Sequence, residues 1–100
     1  MIKVTVIYGQ PSDPDAFEDY YANKHMPLAN TMPFVERLET TRFLPGPDGS
    51  QPPYYRMAEL YFKSIEDLQA NMASPEGQAT ASDLPNFSTG GFTILMGTLE

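Results

Sequence analysis

The sequence predicts an α+β domain in which the unit strand–helix–strand occurs twice. Three observations carry that prediction. Apolar residues alternate with period two in the segments 2–8, 54–62 and 92–97. Helix-start signals stand after the first and third of the expected strands, at Asp13-Pro14 and at Ser64. Proline- and glycine-rich breaks separate the elements. A chain of 100 residues with 41% hydrophobic content has the size of one domain, spanning 1–100, and enough apolar surface for a core.

The elements follow in order. Ile2, Val4, Val6 and Tyr8 share one face of a first strand, with Lys3, Thr5 and Ile7 on the other; Gly9-Gln10-Pro11 ends it. Asp13 caps a helix whose first position suits Pro14 and whose first turn suits Asp15. Phe17, Tyr21, His25, Leu28 and Met32 form one helical stripe. Pro27 interrupts it, and a kink or break is expected around Met26, because proline lacks the backbone donor and crowds the preceding turn. Val35–Leu44 reads as a polar edge strand. The stretch 45–53 is irregular. Tyr54–Phe62 is the third strand, with Ala58, Leu60 and Phe62 on one face and Tyr55, Met57, Glu59 and Tyr61 on the other. Ser64 starts a helix with Ile65, Leu68 and Met72 on one face. Ser74-Pro75 restarts a second short helix, which Leu84-Pro85-Asn86 ends. Phe92, Ile94 and Met96 alternate along the last strand. The order βαββαβ points to a ferredoxin-like architecture, an antiparallel four-stranded sheet with helices on one face.

Two helices cover only one face of such a sheet, yet strand three is apolar or aromatic on both faces, and strands one and four are nearly so through Ile7, Leu95 and Leu99. An uncovered face of that kind exceeds what a monomer carries, so a homodimer through the open sheet face is expected.

Composition narrows the function. Acidic residues outnumber basic ones 13 to 6, a net charge of −7, which disfavours nucleic acid and anionic membranes as partners. No cysteine and one histidine leave no thiolate chemistry, no His-cluster metal site and no metal expectation. No apolar run is long enough to span a membrane, and the first residues alternate where a signal peptide would be uniformly apolar, so the expected compartment is the cytoplasm. No nucleotide loop is present, and no bound cofactor is expected.

His25 is the single side chain with an ordinary pKa near neutrality, and Tyr21 lies one turn before it. The pair suits general acid–base work or the binding of a ligand carbonyl or hydroxyl. Equally, His25 suits a core position where its ring bonds the carbonyls that Pro27 leaves free. Glu59, on an otherwise apolar face, is either a ligand-facing acid or an ion-pair partner of Arg37, Arg42 or Arg56. Tyr20, Tyr61, Phe87 and Phe92 could line an aromatic pocket or simply pack.

The run Tyr20-Tyr21-Ala22-Asn23-Lys24-His25-Met26-Pro27-Leu28 resembles the signature of the EthD-like proteins. Ala58–Phe62, Ser74–Ala79 and Asp83-Leu84-Pro85-Asn86-Phe87 also resemble that family, so the likeness covers essentially the whole chain. It implies a dimeric α+β barrel of two ferredoxin-like protomers. It also implies an oxidoreductase or reductase label from bacterial xenobiotic degradation, with decarboxylation or dehydration in similar fungal domains. By that analogy the pocket lies between helices and sheet, with Tyr21, His25 and Pro27 as matched positions and Glu59 and Phe87 in a second matched region. The expected function is a cofactor-independent enzyme on a hydrophobic, aromatic or polyketide-like molecule, with His25 as acid/base, Tyr21 as hydrogen-bond donor, and Tyr20, Pro27, Glu59, Tyr61, Phe87 and Phe92 binding substrate. The alternatives are a non-catalytic ligand-binding protein serving a partner oxygenase, and haem binding through His25.

Overall fold

A computed structural model describes residues 1–100. Four strands, β1 (Ile2–Gly9), β2 (Arg37–Arg42), β3 (Tyr54–Phe62) and β4 (Phe92–Thr98), form one antiparallel sheet in the order β2-β3-β1-β4. The helices α1 (Pro14–Tyr20), α2 (Met26–Ala29), α3 (Ile65–Ala73) and α4 (Pro75–Asp83) lie on one side. This is the ferredoxin-like arrangement. Each longer helix starts on a side-chain cap: Asp13 accepts from the Ala16 amide, Ser64 from Asp67 and Ser74 from Gly77.

The stripe through Pro27 does not break. Residues Tyr21–His25 widen into a π-turn in which the Met26 amide bonds the Tyr21 carbonyl, and α2 then continues through Pro27. The wide turn seats the ring that a regular α-turn would crowd, so the helical run persists from 14 to 29. Strand β2 is shorter than the sequence pattern suggested, although the Glu36 and Phe43 amides still bond β3 just beyond its ends.

Alternation fails once in β3. Tyr8 pairs with Arg56 and the next residue, Gly9, pairs with Tyr54, so Tyr55 is the extra residue of a bulge. Its ring therefore packs edge-on against Phe17 of α1, 5.0 Å between centroids, instead of joining Met57 and Tyr61 on the open face. In α3 the buried positions are Leu68 and Asn71; Ile65 and Met72, expected on the packed face, are exposed. The core centres on Tyr8 and Phe62, the two most completely buried large side chains. Tyr8 meets Phe17, Tyr21 and Phe87 at 5.4, 5.8 and 5.5 Å. The backbone at Gly9 and Gly90 approaches so closely that a Cβ on either would overlap the other segment's carbonyl, and Gly9 donates to the Gly91 carbonyl there. That explains Gly90 as packing, while Gly91 has open space around it and takes a positive φ of 86°.

Candidate functional site

The helical stripe and the helix-facing side of the sheet do not meet tightly. Between them is a cavity of about 470 Å³. Its floor is Val4, Val6 and Tyr8 of β1 with Ala58, Leu60 and Phe62 of β3. Tyr21, His25, Met26 and Ala29 form one wall, α3 and α4 another, and Ile94 and Met96 of β4 the rim. Met72, Ile94 and Met96 are exposed and mark where it opens. No Lys, Arg, Asp or Glu lines it. An apolar cavity with few polar groups is the usual form of a small-molecule site.

The polar groups are placed by the π-turn. Tyr21 and His25 stack at 5.7 Å with 26° between their planes, and both residues line the cavity. The His25 Nδ1 lies 2.9 Å from Asp83 Oδ2, with side-chain exposures of 6% and 8%. The other Asp83 oxygen, Oδ1, accepts from the Tyr20 hydroxyl at 2.6 Å and from Asn86 Nδ2 at 3.0 Å. Burial pushes the Asp83 carboxyl up, but the bonds from Tyr20, Asn86 and His25 together outweigh it and hold the group below its ordinary value. An ionised Asp83 accepts, so Nδ1 carries the proton and the Nε2 lone pair is left without a protein partner. The Tyr21 hydroxyl is fully buried and also bonds nothing. Burial pushes its phenol up to about 12, with Arg56 pulling down and Glu18 adding to the rise.

Of the residues singled out from the sequence, the structure brings Tyr21 and His25 together at the cavity. Tyr20 and Phe87 stand behind them: Tyr20 bonds Asp83, and Phe87 backs the imidazole at 4.6 Å and stacks on Tyr20 at 5.4 Å. Pro27 is exposed on the outer side of the helical run and shapes the turn without lining the cavity. Phe92 lies opposite Tyr8 on the edge strand, 39% exposed and outside the lining. Glu59 and Tyr61 are on the opposite face of the sheet from the cavity, because β3 alternates and Ala58, Leu60 and Phe62 take the helix side. There Glu59 pairs with Lys3 at 3.0 Å, a partner from β1 instead of the arginines expected. Tyr61 donates to Glu39 at 3.0 Å and lies under the Arg37 guanidinium at 4.0 Å. Both expected substrate contacts are thus open-face residues.

Sequence reasoning missed Asp83. One signal pointed to it: a carboxylate in the last turn of α4 opposes the helix dipole, so something outside the helix must hold it. No group of three or more His, Asp or Glu stands together as metal ligands, and no helix is long and apolar enough to cross a membrane.

Comparison with known proteins places this chain in a family. Residues 9–91 match the model of the EthD domain. The chain is 42% identical over 95 residues to an uncharacterised 11.0 kDa protein of the thcB–thcC intergenic region of Rhodococcus erythropolis, covering 95% of this chain and 91% of that one. It superposes on an ethyl tert-butyl ether degradation (EthD) family protein of Bacillus halodurans with a TM-score of 0.92 at 33% identity, over 100% and 99% of the two chains. More distant chains share the fold. They are a hydroxynitrile lyase of Passiflora edulis (TM-score 0.75, 16% identity, 99% and 94% covered), a cofactor-independent oxygenase of Streptomyces nogalater (0.65, 17%, 98% and 90%) and a dimeric ferredoxin-like protein of Bacteroides fragilis (0.68, 12%, 98% and 95%). The matched segment contains α1, the π-turn, Tyr21, His25 and Asp83, and with the 42% relative it establishes that this chain belongs to the EthD family.

Proposed function

We propose that this protein is an acid–base enzyme for an uncharged, largely apolar small molecule that carries one hydroxyl or carbonyl group. The observation that carries the reading is the Asp83–His25 pair, whose imidazole lines an uncharged cavity together with Tyr21, the residue with an unpartnered hydroxyl. Nε2 takes a proton from the ligand, and Asp83 stabilises the imidazolium that forms. The Tyr21 hydroxyl donates to the oxygen on which negative charge develops. The apolar walls exclude water and strengthen both interactions. That the same fold carries a lyase and a cofactor-independent oxygenase in other proteins supports this class of chemistry. The active assembly is a homodimer through the open sheet face, where Ile7, Met57 and Leu95 supply apolar surface; a dimeric neighbour of the same fold supports this.

The test uses 4-nitrophenol, a neutral aromatic probe with one acidic hydroxyl, below the pH at which it ionises in water. The bound probe is expected to absorb as phenolate in the wild type and to lose that band in folded His25→Ala. A probe that binds with its neutral spectrum overturns the base role and leaves the non-catalytic ligand-binding protein. A Soret band after haem reconstitution, lost in the same variant, would assign His25 to haem instead.

A further inference from the structure

A second polar cluster lies behind the cavity wall, separate from the acid–base pair. Glu18 of α1 and Arg56 of β3 form a two-pronged ion pair, with Nη2 at 2.6 Å from Oε1 and Nε at 3.2 Å from Oε2. The Arg56 side chain is only 15% exposed. The Tyr55 hydroxyl also donates to Glu18, at 3.0 Å, and Arg42 approaches it at 3.8 Å. The guanidinium so held lies over the Tyr21 ring, 4.7 Å from its centroid. Burying an arginine at this depth is costly. A leucine there would pack on Tyr21 without a partner on α1.

We infer that the Glu18–Arg56 pair is a positioning device for Tyr21: the guanidinium over the ring polarises the phenol so that its hydroxyl donates more strongly to a negatively developing ligand oxygen that reaches it. A cation on a ring face draws on the negative quadrupole of the π-system and stabilises the phenolate-like charge distribution. The fork of two bonds fixes the guanidinium over the ring, which a single-point ammonium would not do. The charged and titratable groups around Tyr21 are Glu18 and His25 on its own helical run, Tyr8 from β1 and Arg56 from β3. Arg56 is the single permanent cation among them, and Glu18 opposes its field while holding it in place.

That opposition makes the device testable. The inference rests on Tyr21 acting as a donor to ligand, yet its readout needs no ligand. Its failure therefore stands apart from failure of the nitrophenol experiment. 3,5-Difluorotyrosine placed at position 21 ionises at a pH where the protein stays folded, and its ¹⁹F signal reports the titration. Arg56→Gln is expected to lower the acid constant of that group by about threefold or more, and Glu18→Gln to raise it by about threefold or more. Arg56→Lys, whose ammonium the fork cannot fix over the ring, recovers only part of the Arg56→Gln loss. A purely structural pair predicts the same effect from either substitution, because both break the same two bonds. Shifts in one direction, or no shift in either variant, overturn the inference. If Arg56→Gln does not fold, Glu18→Gln alone decides: an acid constant unchanged or lowered overturns it.

Discussion

Asp83→Asn separates a base-positioning carboxylate from one that merely fills space. In the wild type the carboxylate accepts from His25 Nδ1, from Tyr20 and from Asn86. An asparagine can present its oxygen to Tyr20 and Asn86, which puts its NH₂ against His25. Nδ1 must then accept, the proton moves to Nε2, and the nitrogen at the cavity becomes a donor. The predicted result is loss of the 4-nitrophenolate band with the cavity intact. The stability cost follows from the same geometry. Both partners are more than nine-tenths buried, so solvent screening is slight. Exchanging one charge-assisted bond for a neutral one and weakening two others costs about 1.5–3 kcal/mol, or roughly 6–24 °C in Tm for a domain this size. The assay is a long-range ¹H–¹⁵N correlation spectrum of the imidazole, unambiguous because His25 is the single histidine. The neutral ring is expected as the Nδ1–H tautomer in the wild type and the Nε2–H tautomer in the variant. The same tautomer in both proteins would show that Asp83 does not set which imidazole nitrogen carries the proton.

Acid stability gives a second check. Asp83 is held below its ordinary 3.8, and Glu18 below its ordinary 4.5, where burial is outweighed by bonds from Arg56 and Tyr55. Depressed carboxyls contribute stability that is complete above those ordinary values and lost as pH falls through the lower folded ones. Wild-type stability should therefore fall steadily below about pH 4, and the Asp83→Asn variant should show a shallower acid limb in a series of urea melts; parallel limbs would remove Asp83 from the account. Gly90→Ala should cost about 1–3 kcal/mol or more in chemical denaturation, because its Cβ meets the Gln10 carbonyl; a neutral result would mean that the two segments part easily. Leu95→Arg, on the open face and 54% exposed in one protomer, should yield a monomer in analytical ultracentrifugation while the wild type sediments as a dimer. Equal masses for the two would place the interface elsewhere.

Much of this was legible because local rules agreed with the fold. The alternation of β1, β3 and β4 and the caps at Asp13, Ser64 and Ser74 each depend on a few neighbouring residues. What was not legible depended on residues far apart. The bulge at Tyr55 reflects where β1 ends against β3, so alternation alone sent the ring to the wrong side. Glu59 and Tyr61 share a matched motif with Leu60, yet period-two geometry sends them to the other face of the sheet. Asp83 is 58 residues from His25, and spacing has no rule for such a pair. Pro27 does disturb the helix, but the disturbance is a widened turn, because i→i+5 bonding is available to absorb it.

The Tyr21 hydroxyl decides between a core histidine and a working site. A buried hydroxyl with no partner costs about 1–3 kcal/mol, and phenylalanine would fill the same space without that cost. Tyr21 already has what packing needs: Phe17 stacks on it at 5.5 Å, and Tyr8 and Phe87 meet its edges. Tyr21→Phe is therefore expected to stabilise the protein by about 1 kcal/mol, roughly 4–8 °C in Tm, while weakening 4-nitrophenolate binding about tenfold or more. The two measurements must move in opposite directions. A ligand that supplies the missing bond recovers the cost in the complex alone, which is how a group selected for function differs from one selected for the fold. A Tyr21→Phe protein that is less stable than the wild type would mean that the hydroxyl is satisfied within the fold and waits for no ligand oxygen.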